Sequence, residues 1–200
     1  MVKTTPKQVK RLLERSGLMT MTLSASAPEV PALVPLVAGG PVRGSWWGHP
    51  KGKEIFALAT AIDDDPDVLA VKLLDGKVTF VARRLFGALL RCVGDAGWRK
   101  TALGALGAAA QALEQRVAGE GEILFDPPPP ADLKRALAQL ESRLLLATTS
   151  VHTANGRHAP RAETWSRWAR RVGAKPSPGS RAYALGELET AAGTSLPALR

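Results

Sequence analysis

The chain has 200 residues, of which 45% are hydrophobic and 22% charged, a composition typical of a soluble globular protein with one large or two small cores. The net charge of +9 favours a polyanionic partner, with nucleic acid ahead of an acidic membrane surface, and no stretch is long enough to cross a membrane. The single cysteine, Cys92, excludes an internal disulfide, so we expect a cytoplasmic protein in which this thiol is buried.

The first residues predict a short helix and not a secretion signal. Thr5 and Gln8 have the spacing of a capping box, and Gly17 is placed to end the helix. Threonine and serine residues interrupt the apolar stretch that follows, which disfavours a signal peptide. The range 27–41 contains four prolines and therefore predicts a packed connector with at most one or two helical turns.

The segment Gly44–Lys53 is the least ordinary stretch of the chain. Adjacent tryptophans cannot share one narrow face of a regular element, so this segment predicts a loop before a helix that begins near Pro50, with His49 as its N-cap or as a packing residue. One hypothesis is a pocket in which an unpaired base stacks while lysines hold phosphate, and the other, which we favour, is a pair of core tryptophans. The pocket would consist of Ser45, Trp46, Trp47, His49, Lys51 and Lys53.

Alternating apolar residues on both sides of Asp75-Gly76 predict a β-hairpin. A two-residue turn there places Leu73 opposite Val78 and Val71 opposite Phe80. The hairpin therefore has one strongly apolar face.

Two further features divide the chain. The acidic run 63–67 lacks the pattern of a calcium loop and predicts the end of a helix. We expect 94–100 to separate the first block from a second one, in which Thr101 is the N-cap of a helix that ends at Gly119.

The second block has the element order of a winged helix. A short extended segment, Glu122–Phe125, precedes the helix Ala131–Leu144, and a hairpin follows it. Pro127–Pro130 stands where a middle helix is usual. The helix has a basic outer face and buries one apolar stripe, formed by Leu133, Ala136, Leu137, Leu140 and Leu144.

Asn155-Gly156 predicts the type I′ turn of this second hairpin. The turn sets Ser150 opposite Arg161, and Pro160, which has no N–H donor, predicts that the second strand lies at a sheet edge. One face of the hairpin then carries Thr148, Ser150, His152, Arg157 and Arg161.

Positive charge is concentrated in this block. The range 131–171 holds eight Lys/Arg and three Asp/Glu, a surplus of five out of the chain's nine. We expect these cations to contact a nucleic-acid backbone, while Trp165, Trp168 and Val172 pack inward. The candidate residues are Lys134, Arg135, Arg157, His158, Arg161, Arg167, Arg170 and Arg171.

No catalytic set, metal site or cofactor is indicated. The histidines His49, His152 and His158 have no His-x-x-His or His-Glu-x-x-His spacing, and there is one cysteine to assist them. We therefore predict neither metal nor cofactor, and consider a binding protein the stronger hypothesis than an enzyme.

A resemblance adds to these observations. The sequences GSWWGHP at 44–50 and GKVTFV at 76–81, followed by Arg83-Arg84-Leu85, resemble a bacterial family known only as uncharacterised. The resemblance extends through Val151-His152-Thr153 and Gly156-Arg157-His158. More distantly, the second half is similar to the winged-helix modules of DNA glycosylases that unhook crosslinked bases. The Gln-x-Asp catalytic motif of those enzymes is absent, so the resemblance implies at most their fold and nucleic-acid binding.

These observations predict an α+β protein with a helix–hairpin–helix block at 1–98, a winged-helix-like domain at 99–172, and a linker with a short helix at 173–200. The function we favour is binding of nucleic acid, duplex DNA first, in repair or transcription and without a membrane partner. The alternatives are a glycosylase-like enzyme that acts on a base, with the Trp46-Trp47 loop as its pocket, and a protein-interaction adaptor. The oligomeric state is left open.

Overall fold

The structure is a computed structural model and describes residues 4–153, 156 and 158–200. The fold is α+β, and its contacts divide the chain into two compact units. The first comprises the residues up to Phe86 together with Gly186–Leu196, and the second comprises Gly87–Leu185 and Pro197–Arg200. No helix among the described residues is long and apolar enough to span a membrane.

The first unit begins with α1 (Pro6–Ser16) and β1 (Leu18–Thr20). The Thr5–Gln8 capping box and the end of the helix at Gly17 are confirmed. Four more elements follow: α2 (Leu33–Ala38), α3 (Gly52–Asp63), β2 (Val68–Leu74) and β3 (Lys77–Ala82). The six residues of α2 agree with the limit predicted from the prolines, and Asp64 ends α3 within the acidic run, as expected.

The sheet of this unit is antiparallel and has the order β1-β3-β2. The turn at Asp75-Gly76 is confirmed, with Leu74 opposite Lys77, but an irregularity then shifts the register by one residue. Val71 consequently faces Thr79 and not Phe80, so the predicted pairing across this hairpin is wrong beyond the turn. Sequence alternation does not reveal such a bulge, because the extra residue leaves both strands apolar.

Hydrogen bonds stabilise the tight turn between β2 and β3. Asp75 has a left-handed backbone, with φ of 50°, and its carboxylate accepts hydrogen bonds from Ser24 Oγ at 2.7 Å and from the Ser26 amide at 3.2 Å. Hydrogen bonds from Ser26 and Ser24 lower the pKa of Asp75 to about 2. The loop after β1 is thereby tied to the hairpin.

The core of the first unit lies between its helices and its sheet. The apolar stripe of each helix is turned toward β1 and β3, because residues three and four apart share a helix face. The buried residues of this core, from both helices and strands, are Val9, Leu13, Met19, Leu33, Val34, Val37, Ile55, Leu58, Ile62, Phe80 and Ala82.

The first helix of the second unit is α4 (Phe86–Val93), which begins at the boundary between the two units. It contains α5 (Ala96–Gly104), α6 (Ala108–Glu120), β4 (Glu122–Leu124), α7 (Ala131–Ser142), β5 (Ala147–His152), β6 (His158–Glu163) and α8 (Trp165–Val172). The last α-helix among the described residues is α9 (Arg181–Ala192), after which Pro197–Leu199 forms a 3-10 turn, and Lys175–Ser180 before α9 has no helix or strand, as predicted for a linker. Cys92 is buried, as expected.

The helix boundaries expected around Thr101 are wrong. Asp95 accepts a hydrogen bond from the Trp98 amide and is the N-cap of α5, so Thr101 lies inside a helix and 94–100 is no separator. A second helix, α6, starts after Gly107 and continues to Glu120, past the expected stop at Gly119. The aspartate provides an N-cap earlier in the chain than the threonine does, and it is at least as strong a cap.

The sheet of the second unit has the order β4-β6-β5, so the prediction of an edge position for the strand of Pro160 is wrong. β6 is the central strand. Pro160 is tolerated there because its carbonyl, which accepts from the Phe125 amide at 3.0 Å, lies on the side of β4. Pairing with β4 stops at Leu124 and Arg161, so the missing N–H of Pro160 falls where the ladder ends.

The two units repeat one arrangement. In each, a helix ends at a glycine with φ of 82°, namely Gly17 or Gly121, and a three-residue strand follows. In each, a later helix of 12 residues leads into two antiparallel strands, the second of which is central. The units differ in the connection before that helix, which is long and contains α2 in the first and is the short proline segment in the second. This repeat is not obvious in the sequence, because the features that recur belong to the backbone.

Candidate nucleic-acid interface

The outward face of α7 carries the clearest set of unopposed cations. Leu137 and Leu140 are buried on its inner side, as predicted, and the solvent-facing side follows from the helical period. No ion pair in the described part of the chain involves Lys134 or Arg135. The exposed residues of α7 and its C-cap are Ala131, Asp132, Lys134, Arg135, Ala138, Gln139, Ser142 and Arg143.

The hairpin after α7 has a register that differs by one residue from the predicted one. Arg161 lies opposite Thr149 and not opposite Ser150. Because side chains alternate between the two faces of a strand, this difference moves Arg161 away from the face on which it was expected. Its guanidinium donates to Thr149 Oγ1 at 3.2 Å. Asn155 and Arg157, the residues that determined the predicted turn and the predicted wing contact, lie outside the described residues.

Glu163 explains where Arg161 and Arg171 point. Its side chain has no exposed surface, although it ends a strand in a basic region. Arg171 donates from Nη2 to Glu163 Oε1 and from Nε to Oε2, the latter at 3.4 Å, and Arg161 Nη2 lies 3.8 Å from Oε1. The Arg161 Nε is buried and has no hydrogen-bond partner in the described structure. These two arginines neutralise a buried carboxylate, so neither is a free cation for phosphate.

The remaining predicted cations fall into two groups. Arg167 donates to Glu122 at 2.6 Å and is therefore opposed by a carboxylate, whereas Arg170 is exposed and is in no ion pair formed by described residues. His158 is exposed, and its Nδ1 lies 3.2 Å from Ser150 Oγ. Of the predicted cations that the structure describes, Lys134, Arg135 and Arg170 are thus exposed without a carboxylate partner among the described residues, and Arg143 adds a further exposed cation at the end of α7.

Gln139, Arg143 and Glu163 were not predicted as site residues from the sequence. Gln139 and Arg143 were visible as polar positions on the outer side of the helix, and the helical period places them in line with Arg135. Glu163 carries no such signal, since a strand-end glutamate is ordinarily exposed.

Trp168 and Trp165 form the inner side of α8, as predicted. Both are buried, their rings meet edge to face with centroids 5.6 Å apart, and Trp165 Nε1 donates to the Leu144 carbonyl at 2.7 Å. This hydrogen bond satisfies the indole N–H in the core and joins α8 to the residue Leu144, which lies just after the end of α7. The basic side of α8 is thereby held in one orientation.

The Trp46-Trp47 loop of the first unit is partly as expected. The two rings are stacked, with centroids 4.2 Å apart, and Trp46 packs against the core. Trp47 is 62% exposed, so the expectation that both tryptophans are buried is wrong for Trp47. Trp47 instead stacks on the ring of Trp46, an arrangement that aromatic pairs favour.

His49 is not the N-cap of α3. The N-cap is Lys51, whose amide donates to His49 Nδ1 at 3.1 Å, and Lys51 Nζ donates to the Val37 carbonyl at 2.7 Å. His49 therefore stabilises the turn before the helix. Ser45 and Lys53 are exposed at the two ends of the loop.

A cavity beside this loop is lined by one of the pocket candidates, Trp46. Its volume is about 240 Å³, and its described lining contains neither the other pocket candidates nor any carboxylate or histidine. The lining residues are Thr22, Leu23, Val34, Pro35, Val42, Gly44, Trp46 and Lys77. Lys77 is the one ionisable group in this described lining, so proton transfer in this cavity would depend on that lysine.

The described residues contain no group of three or more His, Cys, Asp or Glu that could hold a metal ion. Comparison with protein-family models, curated proteins and solved structures found no match to the chain.

Proposed function

We propose that the second unit is a winged helix that binds duplex DNA largely through the phosphate backbone, with α7 as its recognition helix. Its element order supports the proposal: α6, β4, α7, β5 and β6 succeed one another as in a winged helix, with the last strand central. The Pro127–Pro130 segment takes the place of the middle helix. Since a fold alone implies no function, the surface of α7 has to supply the reason for DNA binding.

The observation that carries the proposal is the polar, positively charged outer side of α7. Lys134 and Arg135 have no carboxylate partner among the described residues, so binding of phosphate would release counterions without first breaking an ion pair. Arginine and glutamine are also the side chains that pair with guanine and adenine in the major groove, and Arg135 and Gln139 lie one turn apart. An adaptor function for this helix would instead favour an apolar outer side.

A salt series with a labelled duplex tests this function. We expect log affinity to fall linearly with log salt, and Lys134→Ala/Arg135→Ala to reduce the negative slope by about 2, at about 0.9 for each phosphate that is no longer neutralised. Single-stranded DNA and RNA of the same length should bind more weakly than the duplex.

The matched control is Lys7→Ala/Arg11→Ala, which removes two exposed cations from α1 of the first unit. This control should leave the slope nearly unchanged. Equal losses in the two double variants would mean that net charge, and not α7, governs binding. Salt-independent binding by the parent protein would contradict the proposal.

A further inference from the structure

The solvent-facing side of α3 differs in chemistry from that of α7. At 100° per residue, the exposed positions of α3 and its C-cap fall within one stripe about 160° wide, which also includes the half-buried Thr60. Phe56 in this stripe is 43% exposed, and the ring of the exposed Trp47 lies 5.3 Å from it. The stripe consists of Lys53, Phe56, Ala57, Thr60, Ala61, Asp63 and Asp64, with Asp63 at its margin. An aromatic and alanine surface of this kind does not suit phosphate, but it suits a protein partner.

The charges at the two ends of the stripe have the wrong sign for an isolated helix. Lys53 lies at the positive N-terminal end, and Asp64 lies at the negative C-terminal end. Both are exposed, and neither is in an ion pair within the described ranges. A partner with the opposite order of charges would compensate both ends.

The stripe is complementary to itself. Its midpoint lies between Leu58 and Ala59, and an antiparallel copy turned about that point brings Lys53 against Asp64, Phe56 against Ala61 and Ala57 against Thr60. Phe56 then meets a small residue and Lys53 meets the opposite charge of Asp64, whereas Asp63, at the margin of the stripe, falls opposite the half-buried Glu54. Such a pattern is that of an isologous interface, in which the same patch is used by both subunits.

We propose that the first unit binds a second copy of this chain through antiparallel packing of α3 against α3. The alanines allow the helix axes to approach to about 8–10 Å, and Trp47 extends the aromatic half of the patch beyond the helix. Tryptophan and phenylalanine are enriched in such interfaces. The proposal concerns a different unit from the DNA-binding proposal, so the two can fail separately.

Sedimentation velocity over a concentration series tests the interface. We expect the parent protein to shift from monomer to dimer as concentration rises, and Ala61→Arg to remain monomeric because the new side chain occupies the space for Phe56. Ala118→Arg, on the exposed side of α6, is the matched control and should dimerise like the parent. Phe56→Glu provides a second test, and circular dichroism checks that each variant is folded.

The charge pairs allow a sharper test. Lys53→Glu and Asp64→Lys should each raise the dimer Kd about tenfold, since each places two repulsive pairs in the symmetric interface. The double variant Lys53→Glu/Asp64→Lys restores opposite charges and should return the Kd to near the parent value. Failure of this rescue would contradict antiparallel packing.

Other occupants would give other results. A parent protein that stays monomeric at all concentrations would overturn the proposal. If oligothymidine then quenched the tryptophan fluorescence of that monomer, and Trp47→Ala abolished the quenching, the patch would be a stacking surface for unpaired bases instead.

Discussion

Glu163 separates the structural arginines of the second unit from the arginines that can bind phosphate. The fully buried carboxylate is held by Arg171 and Arg161, whereas Arg170 has no such partner among the described residues. Arg171 and Arg170 are adjacent and carry the same charge, but they have different roles, because the helix turns one toward the buried carboxylate and the other toward solvent. Net charge alone would count them equally.

The two arginines can be distinguished by unfolding. We expect Arg171→Ala to lower the free energy of unfolding by about 1 to 3 kcal/mol, because it leaves a buried carboxylate with one distant partner. The loss is smaller than for a fully buried ion pair because Arg171 is itself partly exposed. Arg170→Ala should change stability by less than about 0.5 kcal/mol. Urea unfolding measures both. Equal stabilities of the two variants would show that Glu163 does not depend on Arg171.

The paired tryptophans make a similar contrast. We expect Trp46→Ala to cost about 2 kcal/mol or more, somewhat below the 3 to 5 kcal/mol of a fully buried tryptophan, because Trp46 packs on the core. Trp47→Ala should cost no more than about 1.5 kcal/mol, the contribution of an aromatic pair. Thermal unfolding of the two variants tests this order, and a greater loss in Trp47→Ala would contradict the assignment of Trp46 to the core.

At the scale of elements, the helices were more predictable than the strand pairings. The capping box at Thr5 and the apolar stripe of α7 determine their helices locally, so the sequence predicts both. The register of each hairpin depends on a bulge or a loop, and each expected register is wrong by one residue. The edge position predicted from Pro160 was wrong for a similar reason, because a proline fits in this central strand only where its pairing with β4 ends.

The candidate site was predictable only where it depends on one helix. Lys134 and Arg135 lie on the outer side of α7, as the helical period requires. The position of Arg161 required the strand register, and the pairing of Arg171 required knowledge that Glu163 is buried. Both facts arise from contacts between elements distant in sequence.

The repeated helix–glycine–strand corner gives a test at this scale. Gly17 and Gly121 have the same φ of 82°, which is strained for alanine by about 1 kcal/mol or more. A Cβ on Gly17 would also lie 2.9 Å from Leu85 Cδ1, whereas one on Gly121 would be 3.6 Å from its nearest neighbour, Arg167. Gly17→Ala should therefore destabilise the protein by about 1 kcal/mol or more beyond Gly121→Ala. Equal losses in denaturant unfolding would mean that backbone strain alone matters.

At the scale of the whole molecule, one backbone arrangement is used twice with two different surfaces. The outer side of α7 is basic and polar, and that of α3 has an aromatic and small middle between charged ends, although both helices have 12 residues and each leads into two antiparallel strands of which the second is central. The inner sides of the two helices meet the same packing requirement, while the outer sides are free to differ. The proposed division of work, DNA binding by the second unit and self-association by the first, follows from these two outer sides.

The most direct test of the DNA-binding proposal is a titration of isotopically labelled protein with a short duplex, followed by the backbone amide resonances. We predict that the largest shifts fall within Ala131–Arg143 and that the amides of Lys53–Asp64 remain nearly unchanged. Largest shifts on the α3 stripe, or none on α7 when the duplex is saturating, would contradict the proposal that α7 is the helix that meets DNA.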